Sequence, residues 1–219
     1  MKLLEKFFEL VNVVRQDHKE QNASIGGGHD FAHALMVAQY CLQISEDPIA
    51  TMAWVAGICH NTDRLFPELN DNELESKIYS YLSCINLNNQ PICEAVMEHS
   101  KKPSLEDNPV TVVLKDADKL ANIGALLVIR SAQFQPSLPQ IDLRYLHQRP
   151  PNTSYKNPKS IYWDIKGALE WQEEGWLKTP KAIELAKPLF EDLQKILDNV
   201  VNQFEATGLL PYPFPEDFE

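Results

Sequence analysis

The chain has 219 residues, of which 44% are hydrophobic and 23% charged, a composition that is ordinary for a globular protein with a substantial core. Its formal net charge of -11 argues against general nucleic-acid binding, which requires a basic surface. No apolar run is long enough to span a bilayer and the charged N-terminus lacks a signal-peptide pattern, so with four scattered cysteines and no CxxC pair we expect a reducing, cytoplasmic location and no membrane partner.

The first part of the chain predicts amphipathic helices separated by breaks. Apolar residues recur at three- and four-residue spacing over residues 3–14, and Gly26–Gly28 then interrupt the pattern. A flexible connection is favoured there over a phosphate-binding loop, because the P-loop signature is absent. Asp30 is predicted to cap a helix over residues 31–45, in which His33 lies on the apolar stripe.

The stretch Ile49–Arg64 is the most informative part of the sequence. It is nearly all apolar as far as Cys59, which is typical of a helix in the middle of a domain. It then ends in His60, Asn61 and Asp63, and polar groups buried at such a position need partners. Because clustered His, Asn and Asp side chains often bind a metal ion, further ligands are expected on other helices.

Two later helices offer such side chains. The helix predicted from Pro91 carries His99 on its apolar face, and the helix predicted from Pro109 carries Asp118 within its apolar stripe. A carboxylate on an apolar face must be paired, protonated or bound to a cation. Asp116 falls outside that stripe and is expected at the surface or behind a ligand.

The remaining chain also predicts helices, over residues 73–85, over 160–176 and from the Thr179–Pro180 pair onward. The Pro-rich, aperiodic segment 133–159 is expected to be a loop with a lid or binding role. There is no β pattern and no internal repeat. The sequence therefore predicts an all-α fold with a single domain over residues 1–219, divided into a core of roughly 28–124, C-terminal helices at 160–207 and a Pro-rich tail at 208–219.

Three segments, HDFAHALMV, AGICHNTDR and KDADKLANIG, together resemble the HD-domain superfamily of metal-dependent phosphohydrolases. That family has a histidine on one helix, an adjacent His-Asp pair at the end of the next, and an aspartate on a later helix. The resemblance covers roughly residues 28–124 and implies that His33, His60 and Asp118 are metal ligands.

The chain departs from the family pattern at two positions. Asn61 stands where the family has its aspartate, and Met36 stands where many members of the subgroup have arginine. An asparagine oxygen still coordinates a hard cation but carries no charge, so Asn61 is predicted either as a weaker fourth ligand, with Asp63 nearby to compensate, or as a polar residue at the helix C-terminus.

The ligand types predict a divalent transition metal (Mn, Fe, Ni, Co or Zn). The resemblance implies a phosphohydrolase that acts on a nucleotide or another small phosphorylated metabolite. Asp63 and His99 are predicted as general acid or base. Phosphate oxygens would be held by basic side chains, with Arg64 and Lys119 favoured and Lys101 and Lys102 as alternatives.

Two other functions stay open. Asn61 motivates a catalytically degenerate protein that binds a ligand or partner, and the scaffold also suits a di-iron oxygenase, for which His99 is the only plausible extra histidine. His18 and His147 are expected at the surface, and His29 either behind a ligand or exposed. The tryptophans are expected in the core. The sequence leaves open whether the protein forms a homo-oligomer.

Overall fold

The structure is a computed structural model that describes residues 2–21, 29–154, 157–214 and 216. Within these ranges it contains helices and no β-strand, apart from an isolated bridge between Ser154 and Asn157, which confirms the predicted all-α class. Among the described residues, no helix combines the length and apolarity that crossing a membrane requires. The predicted connection at Gly26–Gly28 lies outside the described residues.

The helices are α1 (Lys2–Lys6), α2 (Phe8–Glu20), α3 (Phe31–Ile44), α4 (Ala50–Cys59), α5 (Thr62–Leu65), α6 (Asp71–Leu82), α7 (Asn89–Glu98), α8 (Pro109–Ala121), α9 (Ala125–Phe134), α10 (Ile161–Gly167), α11 (Glu170–Glu173) and α12 (Pro180–Ala206). A short 3-10 helix covers Leu143–Tyr145. The segment predicted as one helix over 160–176 is divided into α10 and α11.

Short polar side chains fix where helices begin. The side chain of Asp30 accepts the backbone N–H of His33 and starts α3, as predicted. Asn70 forms a capping box with Glu73 and starts α6 at Asp71, two residues before the predicted start. The helix predicted over residues 73–85 left Asn70 outside it and so overlooked its capping role.

The chain divides into two compact units. The first consists of Met1–Ala121 and Trp176–Leu185, and the second of Asn122–Gly175 and Ala186–Glu219. In the first unit α3 packs against α4 and α8, and its core includes fully buried Trp54, Ile58, Ile92, Leu114 and Leu120. All the predicted site residues belong to this unit.

Helices α3 and α4 approach each other closely at Gly57. A Cβ atom at this position would lie 2.6 Å from the Cα and 2.8 Å from the backbone nitrogen of Ala38. The contact therefore requires glycine. It brings His33, in the first turn of α3, beside His60, which follows the last residue of α4, with their ring centroids 5.0 Å apart.

The second unit contains α9, α10, α11 and the greater part of α12. Trp163 and Trp171 are buried in it, and Trp54 and Trp176 are buried in the first unit, so the tryptophans are core residues as predicted. On α12, Leu193 and Leu197 are buried, whereas four other apolar residues are half-buried, namely Leu189, Ile196, Val200 and Phe204.

Candidate metal centre

Three helices bring two imidazoles and a carboxylate together. The Nε2 atoms of His33 and His60 lie 3.3 and 3.8 Å from Oδ1 of Asp118. One ligand atom from each residue lies within 4.8 Å of the others, an arrangement that could hold a metal ion. Both histidines are buried, and the side chain of Asp118 is 14% exposed.

The ring of His60 is held in the tautomer that a metal ligand needs. Its Nδ1 lies 2.7 Å from the backbone oxygen of Gly57. Because a carbonyl can only accept, Nδ1 carries the proton, and burial lowers the pKa of His60 so that the ring is neutral. Nε2 then presents a lone pair, and it has no hydrogen-bond partner among the described residues.

Asp118 supplies a negative charge opposite the two rings. Burial raises the pKa of this carboxyl, but the hydrogen bond with His33, the nearby His60 ring and the charge of Lys119 outweigh burial and hold the pKa well below its ordinary value. The carboxylate is therefore ionised. A carboxylate beside two imidazole side chains is a donor set that suits a divalent transition metal.

Asn61 lies directly after His60 and is fully buried, but its amide contacts residues other than the three converging side chains. Nδ2 donates to the backbone oxygen of His29 at 3.1 Å and lies 3.4 Å from Nε2 of His18. Oδ1, the atom that would bind a cation, lies 3.3 Å from Nδ1 of His29.

His18 was expected at the surface, and that prediction is wrong, because the residue is 1% exposed. Its Nδ1 donates to the backbone oxygen of Val14 at 2.8 Å, which leaves Nε2 as the acceptor for Asn61. Burial lowers the pKa of His18 and favours this neutral form. His18 thus supports Asn61 from helix α2.

His99 lies beside His60 and faces Asp63. The rings of His60 and His99 are 5.5 Å apart, and Nε2 of His99 is 4.0 Å from Oδ1 of Asp63. Nδ1 of His99 donates to the backbone oxygen of Val96 at 2.7 Å. In a neutral ring both facing atoms are acceptors, so a group that donates two hydrogen bonds would satisfy both. Oδ1 of Asp63 is buried and has no hydrogen-bond partner in the described part of the chain.

The two basic residues favoured by the sequence have different surroundings. Nε of Arg64 lies 3.6 Å from Oδ2 of Asp63, and its side chain is half exposed. Lys119 follows Asp118 and places its ammonium 5.0 Å from the ring centroid of Trp176. Burial lowers the pKa of Lys119, while the charge of Asp118 opposes that change.

Asp116 was expected at the surface or behind a ligand, and the surface alternative is wrong, because the residue is 0% exposed. Its carboxylate accepts the backbone N–H of Lys178 at 3.0 and 3.1 Å and that of Thr179 at 2.6 Å. The prediction assumed one buried face on α8, whereas Lys115 and Asp116 are buried as well as the apolar stripe.

No family model and no curated protein matches this sequence. Solved structures do match. Bacillus subtilis YpgQ in complex with ADP is 20% identical, with a TM-score of 0.60 over 90% of this chain and 97% of that chain. An HD-superfamily hydrolase from Bacillus thuringiensis is 14% identical, with a TM-score of 0.68 over 93% and 99%. A protein from Lactobacillus plantarum is 15% identical, with a TM-score of 0.67 over 90% and 98%.

These similarities extend over nearly the whole length of both chains, although few residues are identical. At such identities the likeness concerns the fold, and one of the matched proteins is named as an HD-superfamily hydrolase. The chain therefore has the HD-domain fold, as its three sequence motifs predicted.

Proposed function

We propose that this protein is a metal-dependent phosphohydrolase that acts on a nucleotide or another small phosphorylated metabolite. The convergence of His33, His60 and Asp118 within 4.8 Å carries the proposal. The similarity to an HD-superfamily hydrolase supports the reaction class, and the ADP bound to the similar YpgQ supports a nucleotide-sized substrate.

The three converging residues fit a metal ion. His60 has a buried lone pair directed away from its backbone hydrogen bond, and Asp118 is ionised. His33, His60 and Asp118 would hold a divalent transition metal, namely Mn, Fe, Ni, Co or Zn. Bound there, such an ion would lower the pKa of a coordinated water and polarise a phosphoryl oxygen.

Asp63 and His99 are proposed to hold and move the proton of the reaction. Their facing atoms lie 4.0 Å apart, and a proton carried by either residue would make it the acid of the reaction, whereas the unprotonated residue would act as the base. His99 is fixed by its bond to Val96, so its Nε2 keeps a constant direction.

Phosphate oxygens are proposed to contact Arg64 and Lys119, whose charges offset the acidic balance of the chain. Asn61 is proposed to position the site rather than to bind the metal, because its amide already joins His18 and His29. The metal would then have three protein ligands, which leaves coordination positions for water and substrate.

Elemental analysis tests this proposal directly. Protein purified without chelator should contain roughly one transition metal per chain, and the metal should be lost in Asp118→Ala and in the isosteric Asp118→Asn. Asp192→Asn, an exposed carboxylate on α12, is the control and should retain it. Release of phosphate from nucleotides should follow metal content. Activity that persists in Asp118→Ala would contradict the site.

The second candidate is a non-catalytic member of the fold that binds a ligand or partner, and the neutral Asn61 favours it. Wild-type protein that takes up no metal after reconstitution would support this second function. Two irons per chain after growth with iron would instead favour the di-iron oxygenase.

A further inference from the structure

Two lysines of the first unit share one aromatic ring. The ammonium of Lys102 lies 5.2 Å, and that of Lys119 5.0 Å, from the ring centroid of the buried Trp176. Groups that share a ring in this way lie within about 10 Å of each other, which is the screening length of water at moderate ionic strength. Their positive fields therefore add, and an anion placed near both would be attracted by both.

A buried ion pair between Lys115 and Asp107 anchors the backbone of Lys102. Nζ of Lys115 lies 2.8 Å from each carboxylate oxygen of Asp107 and donates to the carbonyl oxygen of Lys102 at 3.2 Å. Both charged side chains of this pair are less than 10% exposed. The loop that carries Lys102 is thus tied to helix α8, although Lys102 itself is exposed.

The segment that carries Trp176 is anchored by Asp116, which follows Lys115 on helix α8. Asp116 accepts the N–H groups of Lys178 and Thr179, two and three residues beyond the tryptophan. Charge-assisted bonds of this kind are stronger than neutral ones. The ring that both ammonium groups contact is therefore held in place by α8.

Helix α8 thus places four functional side chains in five positions. Lys115 and Asp116 hold the two segments that bear Lys102 and Trp176, while Asp118 belongs to the candidate metal centre and Lys119 follows it. We infer that Lys102 and Lys119, resting on Trp176, form an anion subsite beside the metal centre that takes a phosphate group of the substrate. The phosphate class rests on the proposed function, whereas the anion binding itself requires no metal.

Lys101 is a matched control for Lys102. Its ammonium pairs with Glu98 at 2.7 Å, and its side chain is 63% exposed. Both lysines are exposed and belong to the same loop, and Lys102 is the one that reaches Trp176. Replacing either with methionine removes one positive charge from the same stretch of chain, so a difference between the two variants reports position rather than net charge.

The test is calorimetric binding of inorganic pyrophosphate to full-length protein from which metal has been removed with a chelator. Wild type should bind it, with an affinity that falls as salt is added. Lys102→Met and Lys119→Met should each bind about tenfold more weakly, the loss of one charge-assisted contact, and Lys101→Met should bind as wild type does.

Absence of binding to wild type, or equal losses in Lys101→Met and Lys102→Met, would overturn the subsite. Near-ultraviolet circular dichroism checks that Lys119→Met is folded, and the exposed Lys102 supplies a variant that does not depend on that check. The two measurements distinguish a failure of the subsite from a failure of the proposed function. A wild type that binds pyrophosphate but, when loaded with metal, hydrolyses no phosphorylated substrate would retain the former and lose the latter.

Discussion

The amide nitrogen of Asn61 donates a hydrogen bond to the backbone oxygen of His29, 3.1 Å away, although 32 residues separate the two in sequence. A carbonyl oxygen only accepts, and Nε2 of His18, the second atom near this nitrogen, is also an acceptor because Nδ1 of that ring carries the proton. An amide satisfies both atoms, and a carboxylate satisfies neither.

Asn61→Asp should therefore destabilise the metal-free protein. The carboxylate would face two acceptors in a buried position, and leaving buried polar groups without partners costs about 1–3 kcal/mol. Urea unfolding in the presence of a chelator measures this loss. Asn12→Asp, an exposed position on helix α2, should change stability by less than about 0.5 kcal/mol.

The same variant distinguishes the two proposed roles of position 61. If Asn61 is a positioning residue, restoring the aspartate should not increase metal content or turnover. A large gain in both would show instead that this position belongs to the metal ligands and that the natural protein is weakened there.

The stability of the protein should also depend on the charge of His18. Burial holds the pKa of His18 below its ordinary value of 6.5, so the unfolded chain takes up this proton at a higher pH than the folded protein does. The contribution of neutral His18 is thus present above about pH 6.5 and is lost as the pH falls through the folded pKa. Protonation would also turn Nε2 into a donor facing the amide nitrogen of Asn61.

Urea unfolding at about pH 7.5 and about pH 5.5 tests this dependence. The loss of stability on acidification should be smaller in His18→Gln than in wild type, since the other histidines contribute equally to both. His147→Gln, at an exposed position, is the control. An unchanged loss in His18→Gln would show that the buried ring does not govern the acid sensitivity.

Much of the fold and part of the site were predictable, because the relevant signals are local. His33 and Asp118 stand on clear apolar stripes, and His60 ends an apolar helix, so each helix face indicated where its side chain would point. The capping role of Asp30 is equally local and was predicted correctly.

The contacts that were missed join distant parts of the chain. His18 and Asn61 are 43 residues apart, and Asp116 lies 62 residues before Lys178. Helical periodicity assumes one buried face per helix, whereas α8 buries Lys115 and Asp116 in addition to its stripe. A pattern on one helix contains no information about which later segment will cover the other face.

A comparison of Asp116→Asn with Asp118→Asn should distinguish the structural aspartate of α8 from the proposed metal ligand. An amide keeps one acceptor oxygen for Thr179, but its nitrogen would direct N–H groups toward the N–H of Lys178 and the carboxylate charge would be lost, so the unfolding free energy should fall by about 1–3 kcal/mol. Asp118→Asn should show the reverse pattern, with metal content lost and the metal-free fold retained. Unfolding midpoints and elemental analysis of both variants provide the measurement, and equal metal loss in both would contradict the distinction.

Gly57→Ala should disrupt the contact on which the candidate metal centre depends. The added Cβ would lie 2.6 Å from the backbone Cα of Ala38, and a backbone cannot rotate away as a side chain can, so helices α3 and α4 must separate. We expect a loss of about 1–3 kcal/mol, as for other overpacked cores, together with weaker metal binding because His33 and His60 move apart.

Gly167→Ala is the matched control, since nothing lies within 4 Å of its added Cβ and alanine favours the helix by about 0.5–1 kcal/mol. Thermal unfolding should therefore shift in opposite directions for the two variants, and a Gly57→Ala protein with wild-type stability and metal content would show that the close approach of the helices is not required.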